Sequence, residues 1–164
     1  MVVDGNGVVY VATDKYITAI SSTGSVLWAT EVAGTAYGVP AIDNEGYIYY
    51  NDTEKGSLVK LEPATGKAIA SLQLGTGLQS SPTISADGII YVTGMLEGKP
   101  TLFAVEGAAT GYAANTWSQM GGNPGKSGYM YLFFYPYRLL VSMFLFSSER
   151  VLPCSDEKRL AMHS

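Results

Sequence analysis

The chain has 164 residues, of which 15% are charged, and its formal net charge is −4. This length suits one domain with one sizeable core, and the acidic balance without a dense run of Lys or Arg argues against nucleic acid as a partner. A low charged fraction with 19 glycines is typical of an all-β domain with many tight turns. The first residues lack the basic start and apolar core of a signal peptide.

Three segments repeat one pattern, a glycine followed three residues later by a tyrosine. The pairs are Gly7 with Tyr10, Gly46 with Tyr49, and Gly88 with Tyr91. The glycines stand 39 and 42 residues apart, and each follows a polar turn. Glycine supplies the positive φ that such turns require. The spacing therefore indicates an internal repeat of about 40 residues.

Each repeat contains further short apolar stretches separated by turn signals. They lie at 16–20, 57–61 and 101–105, at 26–32 and 68–74, and at 38–42 and 81–84. Four short strands in each repeat of about 40 residues predict the blade of a β-propeller. We therefore expect a partial propeller of about three four-stranded antiparallel blades. Because propellers close with about four to eight blades, the chain is expected to be a piece of a larger ring or to assemble with other copies through open edges.

The repeats resemble those of the pyrroloquinoline-quinone-type β-propellers. The resemblance rests on the glycine-to-tyrosine strand and on a Thr-Gly turn before the fourth strand. It implies a docking motif in which a tryptophan packs between neighbouring blades. The matching residues are Thr23, Gly24 and Trp28 in the first repeat and Thr65 and Gly66 in the second, where Ala70 replaces the tryptophan.

A glycine-rich stretch at 121–128, GGNPGKSG, has two interpretations. A phosphate-binding loop needs a glycine where Met120 stands, and no strand and helix pattern surrounds it. The stretch also resembles the segment that precedes or closes a set of family blades. The matching residues are Trp117, Met120, Gly122, Asn123, Ser127 and Gly128. We therefore interpret it as a connection between blades and extend the propeller domain over 1–128.

The remaining residues, 129–164, form an atypical tail. Its first part, 129–146, contains eight aromatic residues and one charge, Arg138. Three hypotheses stay open: a membrane span, which needs about 20 apolar residues, an element packed on the propeller, or a segment that is not a native part of the fold.

Candidate catalytic and metal-binding groups are few. Cys154 and His163 are the only residues of their kinds, so neither a disulfide nor a four-ligand zinc site is expected. Asp4 and Asn6 fit a hairpin turn better than a calcium loop. The repeat tyrosines fit a packing position, or a stacked sugar-binding or peptide-binding surface. We expect no catalytic residue and no metal.

The resemblance also bears on function. The family includes quinone-dependent dehydrogenases, sensor domains and an envelope lipoprotein that assists the assembly of outer-membrane proteins. The vicinal cysteine pair of the dehydrogenases is missing here, so no cofactor is expected, and the quinone enters only by family analogy. We expect a non-catalytic scaffold for protein partners, in the periplasm, cell envelope or extracellular space. The alternatives are a fragment of a quinone-dependent dehydrogenase and a membrane-anchored surface sensor.

Overall fold

The computed structural model describes residues 1–107, 111–113, 116–122 and 159–161, and every regular element in these ranges is a β-strand. The strands form three four-stranded sheets, which we call blades 1, 2 and 3. Blade 1 consists of β1 (Val2–Val3), β2 (Val9–Ala12), β3 (Tyr16–Ile20) and β4 (Val26–Glu31). Blade 2 consists of β5 (Ala36–Ile42), β6 (Ile48–Asp52), β7 (Ser57–Leu61) and β8 (Ala68–Gln73). Blade 3 consists of β9 (Thr83–Ile84), β10 (Ile89–Leu96), β11 (Lys99–Glu106) and β12 (Arg159–Ala161).

Blades 1 and 2 confirm the predicted repeat. In each, four consecutive strands pair in chain order and every pairing is antiparallel. The turns between the second and third strands, and between the third and fourth, are short enough to keep neighbours in sequence adjacent in the sheet. The all-β, partial-propeller fold class is therefore confirmed.

Blade 3 departs from this plan at its fourth strand. β9, β10 and β11 pair antiparallel, but β12 pairs with β11 in parallel, with Val105 opposite Leu160. No repeat pattern predicted a strand at 159–161, because three residues are too short to show one. The fourth place of this sheet is thus taken by residues of the C-terminal tail.

The core lies between the blades in two clusters. The first joins blade 1 to blade 2, and the second joins blade 2 to blade 3. Alternate residues of a strand point to opposite faces, so each blade has two faces. β6 and β7 of the middle blade are buried along their whole length because both faces of that blade are covered.

We call the two faces leading and trailing. The trailing face of a blade carries the repeat tyrosine, and in blades 1 and 2 this face packs on the leading face of the next blade. Its main residues are Tyr10, Ile17 and Ala19 in blade 1, Tyr49 and Leu58 in blade 2, and Tyr91 and Leu102 in blade 3. The leading face carries Val9, Val11 and Ile20 in blade 1, Ile48, Tyr50, Val59 and Leu61 in blade 2, and Ile90, Val92, Phe103 and Val105 in blade 3.

Candidate functional site

Trp28 connects blade 1 to the β7–β8 turn of blade 2. Its indole Nε1 donates a hydrogen bond of 2.8 Å to the carbonyl oxygen of Pro63. The ring packs over Gly66, where an added Cβ would collide with it. The neighbouring Thr30 hydroxyl donates a 2.6 Å hydrogen bond to the Gly66 carbonyl. One strand of blade 1 thus contacts the turn of the next blade through both an aromatic ring and two hydrogen bonds.

The Thr65-Gly66 turn has its counterpart in blade 1 at Thr23-Gly24. Both glycines have positive φ, 71° at Gly66 and 86° at Gly24, a conformation that favours glycine. Their surroundings differ, because nothing lies within 4 Å of the Cβ position at Gly24. The blade 1 turn is therefore built like the one that receives Trp28, but its glycine is uncovered.

Ala70 stands at the tryptophan position of blade 2. Its side chain is half-buried and packs against the second core cluster. An alanine has neither the ring nor the N–H of an indole, so the contact made by Trp28 is not repeated between blades 2 and 3.

A second repeated feature joins the tyrosines to turn aspartates. Asp43 Oδ2 accepts a 2.8 Å hydrogen bond from the Tyr49 hydroxyl, while its Oδ1 accepts the backbone N–H groups of Glu45 and Tyr47. Asp4 makes the same set of contacts in blade 1, with Tyr10 as the hydroxyl donor. One carboxylate thus closes the hairpin turn and satisfies the buried hydroxyl of the next strand.

Burial shifts the ionisation of these groups. It raises the pKa of the Asp43 carboxyl, against the opposing effect of the Tyr49 hydroxyl and the two backbone donors. The pKa values of Tyr10 and Tyr49 are raised by burial and by the carboxylate that each one faces. Both tyrosines therefore stay neutral hydrogen-bond donors.

Tyr91 differs from the other two repeat tyrosines. Tyr10 and Tyr49 are 2% and 1% exposed, whereas Tyr91 is 37% exposed. Ser85 replaces the turn aspartate, and its hydroxyl bonds to Asp87 and to the backbone of Ile89. The repeated packing position is therefore buried only where a following blade covers it.

Lys60 is a buried residue that no sequence pattern marked. It is 2% exposed, and its Nζ lies 4.0 Å from the centre of the Tyr47 ring, a cation–π distance. Its positive charge also acts on Asp43 in the same interface. In a sequence, a lysine within an alternating strand predicts a solvent-facing position. The burial of Lys60 depends on the neighbouring blade, so the sequence alone did not indicate it.

Residues 116–119 cross the inner strands of all three blades. The Val3 N–H bonds to the Trp117 carbonyl, and the Ile42 N–H bonds to the Ser118 carbonyl. The buried Gln119 side chain accepts from the Ile84 N–H at 2.8 Å and donates to the Ile84 carbonyl at 3.3 Å. The sequence indicated a connection here, but it gave no sign that Ser118 and Gln119 bind the inner strands.

The other residues of the 117–128 stretch are described in part. Gly122 packs against the Trp117 ring, and Met120 is exposed, with its sulfur 3.5 Å from the Ser81 hydroxyl. Asn123, Ser127, Gly128 and the Gly125-Lys126 pair lie outside the described residues, as do Cys154, His163 and the apolar segment 129–146. Within the described ranges no helix is long and apolar enough to cross a membrane.

The potential metal ligands among the described residues do not form a cluster. Among residues 1–107, 111–113 and 116–122, no three His, Cys, Asp or Glu side chains lie close enough together to hold a metal ion. An apolar cavity of about 610 Å³ lies beside β1, lined by Met1, Val3, Thr116 and Trp117.

A comparison with protein-family models matches the first part of the repeat region. Residues 1–68 match the PQQ_2 family model, described as "Outer membrane protein assembly factor BamB". The resemblance drawn from the sequence is confirmed over these residues, which hold both sides of the Trp28 contact. A comparison with curated proteins found no match.

A solved structure supports the fold alone. The chain is similar to a protein of unknown function from Bacteroides caccae, with 13% sequence identity and a TM-score of 0.50. The similarity covers 63% of this chain and 43% of that chain. The chain thus spans less than half of that structure.

The outer strands β4 and β8 form another candidate surface. Each is the last strand of its sheet and shows the same alternation of exposed and half-buried residues. Each has an irregularity at the same repeat position, so that Leu27 and Ile69 lack a direct cross-strand partner. Val26 and Leu27 are 63% and 55% exposed. Within the described part of the chain, two neighbouring blades thus present unpaired edges with exposed apolar side chains.

Proposed function

We propose that the chain is a non-catalytic scaffold that binds protein partners by adding an extended peptide strand to β4, with β8 as a second edge of the same kind. The observation that carries this proposal is the open edge of β4, beside which Val26 and Leu27 are exposed. Main-chain hydrogen bonds along such an edge give affinity, and neighbouring side chains give preference for a peptide sequence.

The family match suggests the chemistry of the partner. The matching family is described as an assembly factor for outer-membrane proteins. Strands of outer-membrane barrels alternate apolar and polar residues. A segment of this kind can pair its backbone with β4 and place alternate apolar side chains beside Val26 and Leu27. We therefore propose an alternating, unfolded strand as the partner and the cell envelope as the location.

Peptide binding tests this function directly. The probe is a labelled ten-residue peptide of alternating valine and threonine, titrated with the full chain and followed by fluorescence anisotropy. We expect saturable binding. The same peptide with proline at every second threonine should bind at least about tenfold more weakly, because proline cannot donate to a strand ladder.

Two variants test whether the peptide binds at the outer strands. The double variant Leu27→Lys/Ile69→Lys should weaken binding, because charges on edge strands oppose the addition of another strand. Gln79→Lys adds a charge at an exposed position outside both strands and serves as the control. Equal affinity of both peptides, or equal affinity of both variants, would reject strand addition at these edges.

A further inference from the structure

The hydrogen bonding of β4 shows which of its backbone groups face the outer edge. The Val32 N–H donates to the Lys15 carbonyl, so these two residues form a hydrogen-bonded pair of the antiparallel ladder. Such pairs alternate with pairs that exchange no hydrogen bonds, and the next pair, Tyr16 with Glu31, is of this second kind. The N–H and C=O groups of Glu31 therefore point away from β3, toward the edge that the proposed function uses.

The outer strand of blade 2 has the same arrangement. The Leu74 N–H donates to the Gly56 carbonyl. The next pair, Ser57 with Gln73, therefore leaves the backbone groups of Gln73 on the outer edge of β8. Glu31 and Gln73 thus occupy the same place at two equivalent edges, and one carries a carboxylate where the other carries an amide.

The two side chains differ in their contacts with the rest of the protein. Gln73 Nε2 donates a 2.6 Å hydrogen bond to the Lys55 carbonyl and lies 3.4 Å from the Gly75 carbonyl. The Glu31 carboxylate has neither a hydrogen bond nor an ion pair with any described residue. The amide at β8 is therefore held by its own blade, whereas the carboxylate at β4 can pair with a group on a partner.

Exposure at this repeat position does not depend on a neighbouring blade. Glu31 and Gln73 both lie on the leading faces of their blades, and both are exposed. Blade 1 packs on the leading face of blade 2, and Gln73 is exposed beside that contact. The equivalent position in blade 1 therefore stays accessible whether or not another blade covers its leading face.

Alternation along β4 places Leu27 and Glu31 on one face, four residues apart. We propose that the strand bound at β4 carries a basic residue opposite Glu31 and an apolar residue opposite Leu27, four positions away on the same face. Opposite charges directly across a strand pair stabilise it, and like charges destabilise it. Glu31 therefore favours basic strands and rejects acidic ones, while β8, with Gln73, has no such preference. This inference rests on the proposed function and names the charge of its partner.

Three ten-residue peptides test the charge preference by fluorescence anisotropy with the full chain. One is the alternating valine–threonine peptide, and the others carry lysine or glutamate in place of its third valine, with a valine four residues away on each side. We expect the lysine peptide to bind about fivefold more tightly than the glutamate peptide. Sodium chloride at about 0.5 M should reduce this difference, because salt screens exposed charges.

Variants separate the effect of Glu31 from that of the negative net charge of the chain. Glu31→Gln should abolish the difference between the two charged peptides, and Glu31→Lys should reverse it. Glu97→Gln, at an exposed position in the β10–β11 turn, removes the same charge and should retain the difference.

The outcomes distinguish this inference from the scaffold function on which it rests. Equal binding of the two charged peptides to the wild type, or a difference that persists in Glu31→Gln, would overturn the charge preference. Binding of the valine–threonine peptide in those cases would leave strand addition intact. Failure of all three peptides to bind would reject both the scaffold function and the preference.

Discussion

Trp28 and Gly66 act as a pair across the first blade interface. The indole packs on Gly66 because glycine has no Cβ that would collide with the ring. The turn also requires a positive φ at this position, which glycine adopts readily. The repeat provides a matched control at Gly24, which has a similar backbone conformation but no ring above it. Comparison of the two positions can therefore separate backbone strain from the contact between blades.

Gly24→Ala and Gly66→Ala should differ in stability. Each places a side chain at positive φ, which costs about 1–2 kcal/mol. Gly66→Ala also forces a Cβ into the Trp28 ring and the Thr30 hydroxyl, and such overpacking costs about 1–3 kcal/mol more. Urea unfolding of the two variants measures the difference, and equal losses would show that Trp28 does not pack on this turn in solution.

Asp43 should make stability depend on pH. Burial raises the pKa of this carboxyl above its ordinary value of 3.8, so the folded state favours the protonated form. Its contribution to the free energy of unfolding is then fully present below that ordinary value and is lost as the pH rises through the raised pKa.

The variant Asp43→Asn isolates this effect. The free energy of unfolding of the wild type, relative to that of the variant, should be largest below pH 3.8, fall as the pH rises through the raised pKa and become constant above it. Denaturant titrations at several pH values give this difference. A difference that instead rises with pH would mean that the Tyr49 and backbone hydrogen bonds outweigh burial.

At the level of elements, the inner strand β9 depends on a side chain from a distant segment. β9 has only two residues, and Gln119 bonds to both backbone groups of Ile84. The amide thus bonds to the inner strand of blade 3, as the backbone carbonyls of Trp117 and Ser118 bond to the inner strands of blades 1 and 2. The segment 116–119 therefore holds the inner ends of the blades together.

Gln119→Ala should destabilise the protein by about 2–4 kcal/mol, because it leaves a buried N–H and a buried carbonyl without partners. Gln79→Ala, at an exposed position close in sequence to β9, should change stability by less than about 0.5 kcal/mol. Thermal or urea unfolding measures both variants. A loss at Gln119 no larger than that at Gln79 would contradict the bracing role of this segment.

The strands of the repeat could be predicted because their signals are local. Gly46 and Tyr49 mark a turn and the strand that follows it, and the same spacing recurs in all three blades. Lys60 and Gln119 could not be found in this way, since their burial depends on a blade or segment far away in sequence. Tyr91 shows the same limit, because it follows the same spacing as Tyr49 but no described blade packs on it and it is 37% exposed.

At the scale of the whole molecule, the described residues of each blade contact only neighbouring blades, apart from the segment that crosses the inner strands. In such repeat architectures, stability is close to a sum of repeat and interface contributions. Among the described residues, blade 2 packs on a blade at both faces, whereas blades 1 and 3 each pack on a blade at one face. The described parts of blades 1 and 3 are therefore each stabilised by one blade interface, and blade 2 is stabilised by two.

Amide hydrogen exchange of the full chain, with and without the alternating valine–threonine peptide, tests the scaffold function most directly. Exchange at each amide reports whether that N–H is hydrogen-bonded and shielded from water. We predict that saturating peptide slows exchange in Val26–Glu31 and leaves the interior strand Ile48–Asp52 unchanged. Saturation without added protection in Val26–Glu31 would contradict a scaffold that binds its partners by strand addition.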